Sequence, residues 1–463
     1  MADLKTLQDR LFNPSLVVRQ KALKELTGRG EAAIPILLTA LRDEYNVVRL
    51  EAAAALGSIG GEKAVAALIP VMGDMDSAVQ RRAVMSLRQI GFTGQELLLS
   101  SLHHVDVYIR LGAVSVLGEV GNQLAVDPLI YMLGDIDETV RIEAALALGK
   151  LRYAQAIPAL IAALSDVDEQ VRSTVARSLA RFGDDSVDAL FVTLQEPDWL
   201  RRMTAAAALG EVGGQRALNQ LIKTLQDPHD RVRETAAEAL GVIGDPRSVP
   251  ALAESLRDPA HPVRALSALA LGHIGDTAAA QSMAIAGADR RVEVRIFVAR
   301  AFGIMPCKEG VALLLRLLED YDMEVRAEAA LSLGKLAERR AVPKLLEGLE
   351  DHAEVVRINS IAALSAIGGE NALQGLEFIA RQPNHPQSEL AMMALAELAP
   401  SGYAVLRKLG RSRDKIVSAR AKVVLEDHQI QAKKETPTQS GPLPMLSRAF
   451  RRVTDQLKSS LRD

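Results

Sequence analysis

An arginine recurs along this chain every 30 or 31 residues, and each recurrence opens the same phrase. The register positions are Arg19, Arg49, Gln80, Arg110, Arg141, Arg172, Arg202, Arg233, Arg264, Arg295, Arg326 and Arg357, with glutamine standing in once. Asp135 to Leu151 reads DIDETVRIEAALALGKL, and Asp320 to Leu336 reads DYDMEVRAEAALSLGKL. A unit this short cannot enclose a core of its own, so each must bury its apolar face against its neighbours. The expected fold is therefore all-α, an α-solenoid of about 12–14 two-helix repeats.

Around Arg141 the first helix is expected over Asp127 to Leu133, a turn at Gly134 and Asp135, and the second helix over Glu138 to Leu151. Asp43, Asp74, Asp135, Asp166, Asp227, Asp258, Asp289, Asp320 and Asp351 share the turn position. They read as N-caps, because a carboxylate there accepts orphan backbone N–H groups. Gly60, Gly91, Gly183, Gly213 and Gly275, among others, fall where the second helix must stop. Pro35, Pro158, Pro250 and Pro343 fall near the start of a first helix, where a missing N–H costs little. Val140, Ala144, Leu148 and Leu151 form the core stripe of the second helix, and its small residues let neighbouring helices approach closely. The arginine flanks that stripe. Arg141, Arg172, Arg233, Arg264, Arg295, Arg326 and Arg357 are expected to pair with the turn aspartates as a charge-assisted ladder joining successive units.

The phrase D-x-D-x-x-V-R-x-x-A-A-x-A-L-G-x-[IL]-G resembles HEAT repeats of the short, phycobilisome-lyase-like type, from about Pro14 to Glu426. The units near Ser388 and Ser418 lose the arginine, as terminal caps do. Ankyrin and tetratricopeptide signatures are absent. The resemblance implies fold rather than activity. That repeat type includes deoxyhypusine hydroxylases, whose di-iron site uses His-Glu pairs, yet none of the eight histidines here precedes a glutamate. It also includes bilin lyases, so a lyase-type or other enzyme-accessory role on a tetrapyrrole-bearing partner is the alternative reading.

The bulk chemistry narrows the function classes. Net charge is −3, and aromatic residues make up 3% of the chain, which disfavours phosphate tracking and base stacking. Cys307 is the only cysteine, so no disulfide framework or thiolate metal cluster can form within the chain. The N-terminus lacks an apolar signal segment and no run is long and apolar enough for a membrane span, which makes a cytoplasmic location the expectation. His103, His104 and Asp106 are the densest potential metal ligands, but adjacent residues on a turn diverge. No catalytic, metal or cofactor site is expected.

Function is then expected in positions the repeat leaves free. Two and six residues beyond the valine of the Val-Arg pair, the second helix points away from its core stripe. Those positions include Ile142, Leu146, Met203, Leu269, Ile296, Leu331 and Ile358. The resemblance places second helices on a concave surface, which implies an apolar groove for a partner protein. Trp199, the only tryptophan, joins the candidates because aromatic anchors dominate interfaces. The expected role is a non-enzymatic scaffold or adaptor.

The C-terminus differs. From Val405 onward the chain carries +8 against −11 for the rest. Residues 1–428 are assigned to the solenoid, 429–444 to a flexible linker, and 445–463 to a basic amphipathic helix. That last segment could dock in the groove near Leu331 and Ile358, bind a partner, or lie on an anionic membrane surface.

Overall fold

The computed structural model describes residues 3–434, with side chains to residue 428. The segment 445–463 lies outside the described residues. Among them are 28 α-helices, which pair in sequence as fourteen two-helix units. The chain divides into two compact bodies, residues 1–239 and 240–463. None of the described helices is long and apolar enough to cross a membrane.

The unit around Arg141 shows why the phrase folds as it does. Val126–Tyr131 forms a short α-helix that tightens into a 3₁₀ turn over Met132–Gly134, and Glu138–Leu151 forms the second helix. Pro35, Pro158, Pro250 and Pro343 each sit in the first turn of a first helix, as their missing N–H permits. Second helices pack on one another through the glycine of the A-L-G triplet. A Cβ on Gly118 would lie 2.8 Å from Ala147 Cα, and in the other body one on Gly272 would lie 2.7 Å from Ala301 Cα. Contact that close needs a glycine facing a small residue. Gly60 and Gly213 end second helices with φ of 74° and 68°. Gly183 does not: Glu169–Ala180 has already stopped, and Gly183, at φ 56°, opens the next helix, Asp184–Thr193.

The turn aspartates are not the N-caps. The cap is the second acid of D-x-D: Asp137 accepts from the N–H groups of Thr139 and Val140, and Asp322 from those of Glu324 and Val325. The first acid lies two residues earlier and faces sideways. Asp135 Oδ1 accepts the Asp137 N–H at 2.9 Å, and both its oxygens take the Nε and Nη2 of Arg110, each at 2.8 Å. The same two-bond fork joins Arg49 to Asp74, Arg141 to Asp166 and Arg202 to Asp227 in one body. In the other it joins Arg264 to Asp289, Arg295 to Asp320 and Arg326 to Asp351. Each arginine also donates Nη1 back into its own turn. Arg141 reaches the carbonyls of Asp135 at 2.9 Å and Ile136 at 3.3 Å. One guanidinium therefore closes its own turn and grips the next.

Three rungs depart. Arg172 donates Nη1 to the Asp166 and Val167 carbonyls, but the next turn position holds Glu196, which pairs with Arg201 instead. The expectation that Arg172 joins the ladder of ion pairs is therefore corrected: it closes its own turn without a carboxylate partner. Gln80 reaches only the Asp74 carbonyl, and His104 fills the turn position where other units have aspartate, its Nδ1 accepting the Asp106 N–H. Arg357 donates Nε to Gln387 Oε1 at 2.8 Å. Asp258 keeps the turn geometry beside the Arg233 register, its Oδ1 accepting the Ala260 N–H. The expected boundary at residue 428 also shifts. The last described helix, Lys415–Lys434, runs six residues into the segment read as linker, because QIQAKK holds good helix formers and no glycine or proline.

The ladder is buried. Side-chain exposure of Arg295 and Asp320 is 4% and 8%. Burial pushes the carboxyls of Asp135, Asp289 and Asp351 up, yet the guanidinium hydrogen bonds and the N–H two residues on outweigh it and hold all three below the ordinary carboxylate range. Breaking a buried pair strands a charge, so Arg264→Ala should cost about 3 kcal/mol in urea unfolding, and Arg264→Lys should recover little because the fork is lost. Arg172→Ala, with no carboxylate to strand, should cost about 1 kcal/mol. Carboxyls depressed in the folded state contribute stability above their unfolded pKa of about 4 and lose it as pH falls toward the folded value. The ladder's share should thus be constant from about pH 5 to 8 and fade below about pH 4, as read from urea midpoints against pH.

Candidate partner-binding surface

The second helices leave one face free of the first helices, and the sequence-predicted row lies on it. Ile142, Leu146, Met203, Leu269, Ile296, Leu331 and Ile358 are each half-buried, and the small residues between them, Ala265 and Ala327, are buried. Glycine-mediated close packing narrows the space between adjacent helices, so flanking side chains cover much of each aliphatic residue. Within each body these positions are partly covered rather than lining an open trough.

The cover opens in the body of residues 1–239, at the rung that lacks its carboxylate. A cavity of about 700 Å³ lies among Arg172, Trp199, Met203, Ala207, Arg231 and Glu238. Glu196 stands in the turn position whose aspartate would have completed the Arg172 fork, and it turns to Arg201, so the Nε and Nη2 edge of the Arg172 guanidinium stays uncommitted at the cavity wall. Trp199 opens its helix directly after the Asp198 cap, which accepts the Leu200 N–H at 2.9 Å. Its indole is 40% exposed and stacks on the His229 ring at 4.3 Å, with planes 4° apart. Glu169, Glu211 and Glu238 bring negative charge to the rim, against Arg172 and Arg231. A wall with a held aromatic plane, a thioether and charges of both signs can seat side chains of a partner.

A second cleft of about 360 Å³ lies at the Gln80 rung, among Gln80, Met85, Tyr108 and Leu111. Polar bonds cross it, from Arg88 Nη2 to Ser115 Oγ at 2.7 Å and from Ser115 Oγ to Glu143 at 2.5 Å. The sequence reading included Trp199 and Met203 but missed His229, Arg172 as a free guanidinium, and this second cleft. The available signal was the loss of aspartate six residues before the next register arginine, where His104 and Glu196 stand.

The remaining chemistry-bearing residues are committed elsewhere. His103 packs edge-on against the Tyr131 ring at 5.7 Å while His104 accepts the Asp106 N–H, so the three candidate ligands serve separate contacts. Among the described residues no group of three His, Cys, Asp or Glu could hold a metal ion. Cys307 is half-buried and caps its helix, with Sγ accepting the Gly310 N–H at 3.3 Å.

The family model for HEAT repeats matches residues 4–91, 95–168, 157–240, 218–292 and 283–365, well over half the chain. The chain belongs to the HEAT-repeat family. No curated protein matches it by sequence. Among solved structures, the HEAT-repeat chain is similar to Kap121p bound to Nup53p, at 14% identity over 94% of this chain and 56% of that one, with a TM-score of 0.56. It is similar to Kap95p, whose binding induces the switch loops of RanGDP to adopt the GTP-bound conformation, at 13% identity over 95% and 79% of the two chains, with a TM-score of 0.51. A further match is Kap95 in complex with Nup1, at 16% identity over 99% and 73%, with a TM-score of 0.50. This chain spans little more than half the length of Kap121p. At such identities the likeness is one of fold.

Proposed function

We propose that this HEAT-repeat protein is a non-enzymatic scaffold or adaptor that binds a partner protein through the free face of its second helices. The observation that carries the reading is the cavity at the Arg172 rung, where Trp199 is held flat on His229 beside Met203. A preorganised aromatic plane in a mixed-charge cleft gives a hot spot at low entropic cost. Half-buried Ile142 and Leu146 in the same body supply further apolar contact, and in the other body Leu269, Ile296, Leu331 and Ile358 do so on their own second helices. HEAT-repeat membership and the karyopherin-like fold support a protein rather than a small molecule as the partner. The phycobilisome-lyase-like phrase marks tetrapyrrole-bearing proteins as the first class to check.

Tagged full-length chain should capture a defined partner from its native extract. Trp199→Ala with Met203→Asp should lower that capture at least tenfold while circular dichroism and the urea midpoint stay near the parent values. Visible chromophore absorption in the eluate would point to the tetrapyrrole class. Undiminished capture by the double variant would remove the cavity from the reading.

A further inference from the structure

The residue between the two acids of D-x-D is solvent-facing in every unit, and in four consecutive units of the body of residues 1–239 it is a large aliphatic one. Met75 is 95% exposed, Val105 92%, Ile136 93% and Val167 93%. Single exposed aliphatics are ordinary, but four in strict register, each with almost no covering atom, form a patterned surface. The ladder holds most of them there. Arg110 Nη1 binds the Val105 carbonyl at 3.1 Å, Arg141 the Ile136 carbonyl at 3.3 Å and Arg172 the Val167 carbonyl at 3.1 Å. With the carbonyl pinned inward, the side chain points out. None of the four lines either cleft described above.

The flanks of this ridge are acidic. Asp74, Asp135 and Asp166 are matched by ladder arginines, but Asp76, Asp106, Asp137, Glu138, Asp168 and Glu169 have no cation within ion-pair distance among the described residues. Adjacent stacked helices lie about 8–10 Å apart, which sets the spacing of the tips. An α-helix brings every seventh residue back to the same side after about 10.5 Å. An extended strand repeats on one face every second residue, about 7 Å, which misses that spacing, and an anionic lipid surface would meet six carboxylates outside any ion pair.

We infer that Met75, Val105, Ile136 and Val167 form a docking ridge for a basic amphipathic helix of a partner protein, one that presents apolar side chains every seven residues with Lys or Arg beside them. Its aliphatic side chains meet the four tips, and its cations meet the six acids. The ridge shares only Glu169 with the lining of the cavity at Trp199 and none of its four tips, so a failure of one leaves the other standing.

The probe is a fluorescein-labelled synthetic 24-residue helix with Leu at positions 1, 8, 15 and 22, Lys on the flanks and Ala elsewhere. It is titrated into the full chain by fluorescence anisotropy. A quadruple variant, Met75→Ser, Val105→Ser, Ile136→Ser and Val167→Ser, changes only solvent-exposed side chains, and its fold is checked by circular dichroism. The expected results are binding to the parent chain, at least tenfold weaker binding to the variant, and at least tenfold weaker binding of a control peptide with the same composition and Leu at positions 1, 6, 11 and 16. Affinity should also fall several-fold between 50 and 500 mM salt. Equal binding by parent and variant, equal binding of the two peptides, or co-sedimentation of the parent chain with anionic vesicles through these four residues would each overturn the assignment.

Discussion

One guanidinium, bonded to two turns at once, is the contact on which the rest of this structure depends. Each unit is two short helices with a single apolar face, too small to hold its own shape. The register arginine closes its own turn through two carbonyls and takes the next turn's aspartate in a two-bond fork. Arg141 thereby fixes the turn at Asp135 and the distance to Asp166 with four of its five N–H donors. Lysine could not do both, because its ammonium lacks the planar fork. The small-residue contacts, such as Gly118 on Ala147, then fill the space that this spacing leaves.

Most of the fold was legible because the arginine period, the A-L-G triplet and the paired acids each encode a local geometry. The capping residue was not legible. Both acids of D-x-D are good caps, and only the direction of the chain entering the helix decides that Asp137 caps while Asp135 faces Arg110. The helix end at Lys434 was misread for a related reason: QIQAKK is polar, and polarity alone does not separate a solvated helix from a linker. At the candidate surface, Trp199 and Met203 could be named from sequence, but the cavity between them could not. It lies where Glu196, held by Arg201, stands in the turn position whose aspartate Arg172 would otherwise hold, and that exchange is read as a void only in three dimensions.

The repeat and its departures divide the labour. Where the rung is intact, its polar groups satisfy one another, although a cleft of about 370 Å³ also lies beside the intact Arg295–Asp320 rung. Where Gln80 or Arg172 leaves a rung without its ion pair, the second helices carry a cleft. The aliphatic tips at Met75, Val105, Ile136 and Val167 are a second use of the same frame, since the carbonyl bonds that close a turn also aim its middle side chain into solvent.

The most direct test of the central claim is a double-mutant cycle on Arg295 and Asp320, using Arg295→Gln and Asp320→Asn so that the turn keeps a hydrogen-bond acceptor. Urea unfolding of the parent, both single variants and the double variant isolates the energy of the pair. Joining of the units by the rung predicts a coupling of about 2 kcal/mol or more, with the double variant little worse than either single one. A coupling below about 0.5 kcal/mol would contradict it, and would leave the helix contacts alone to hold the units together.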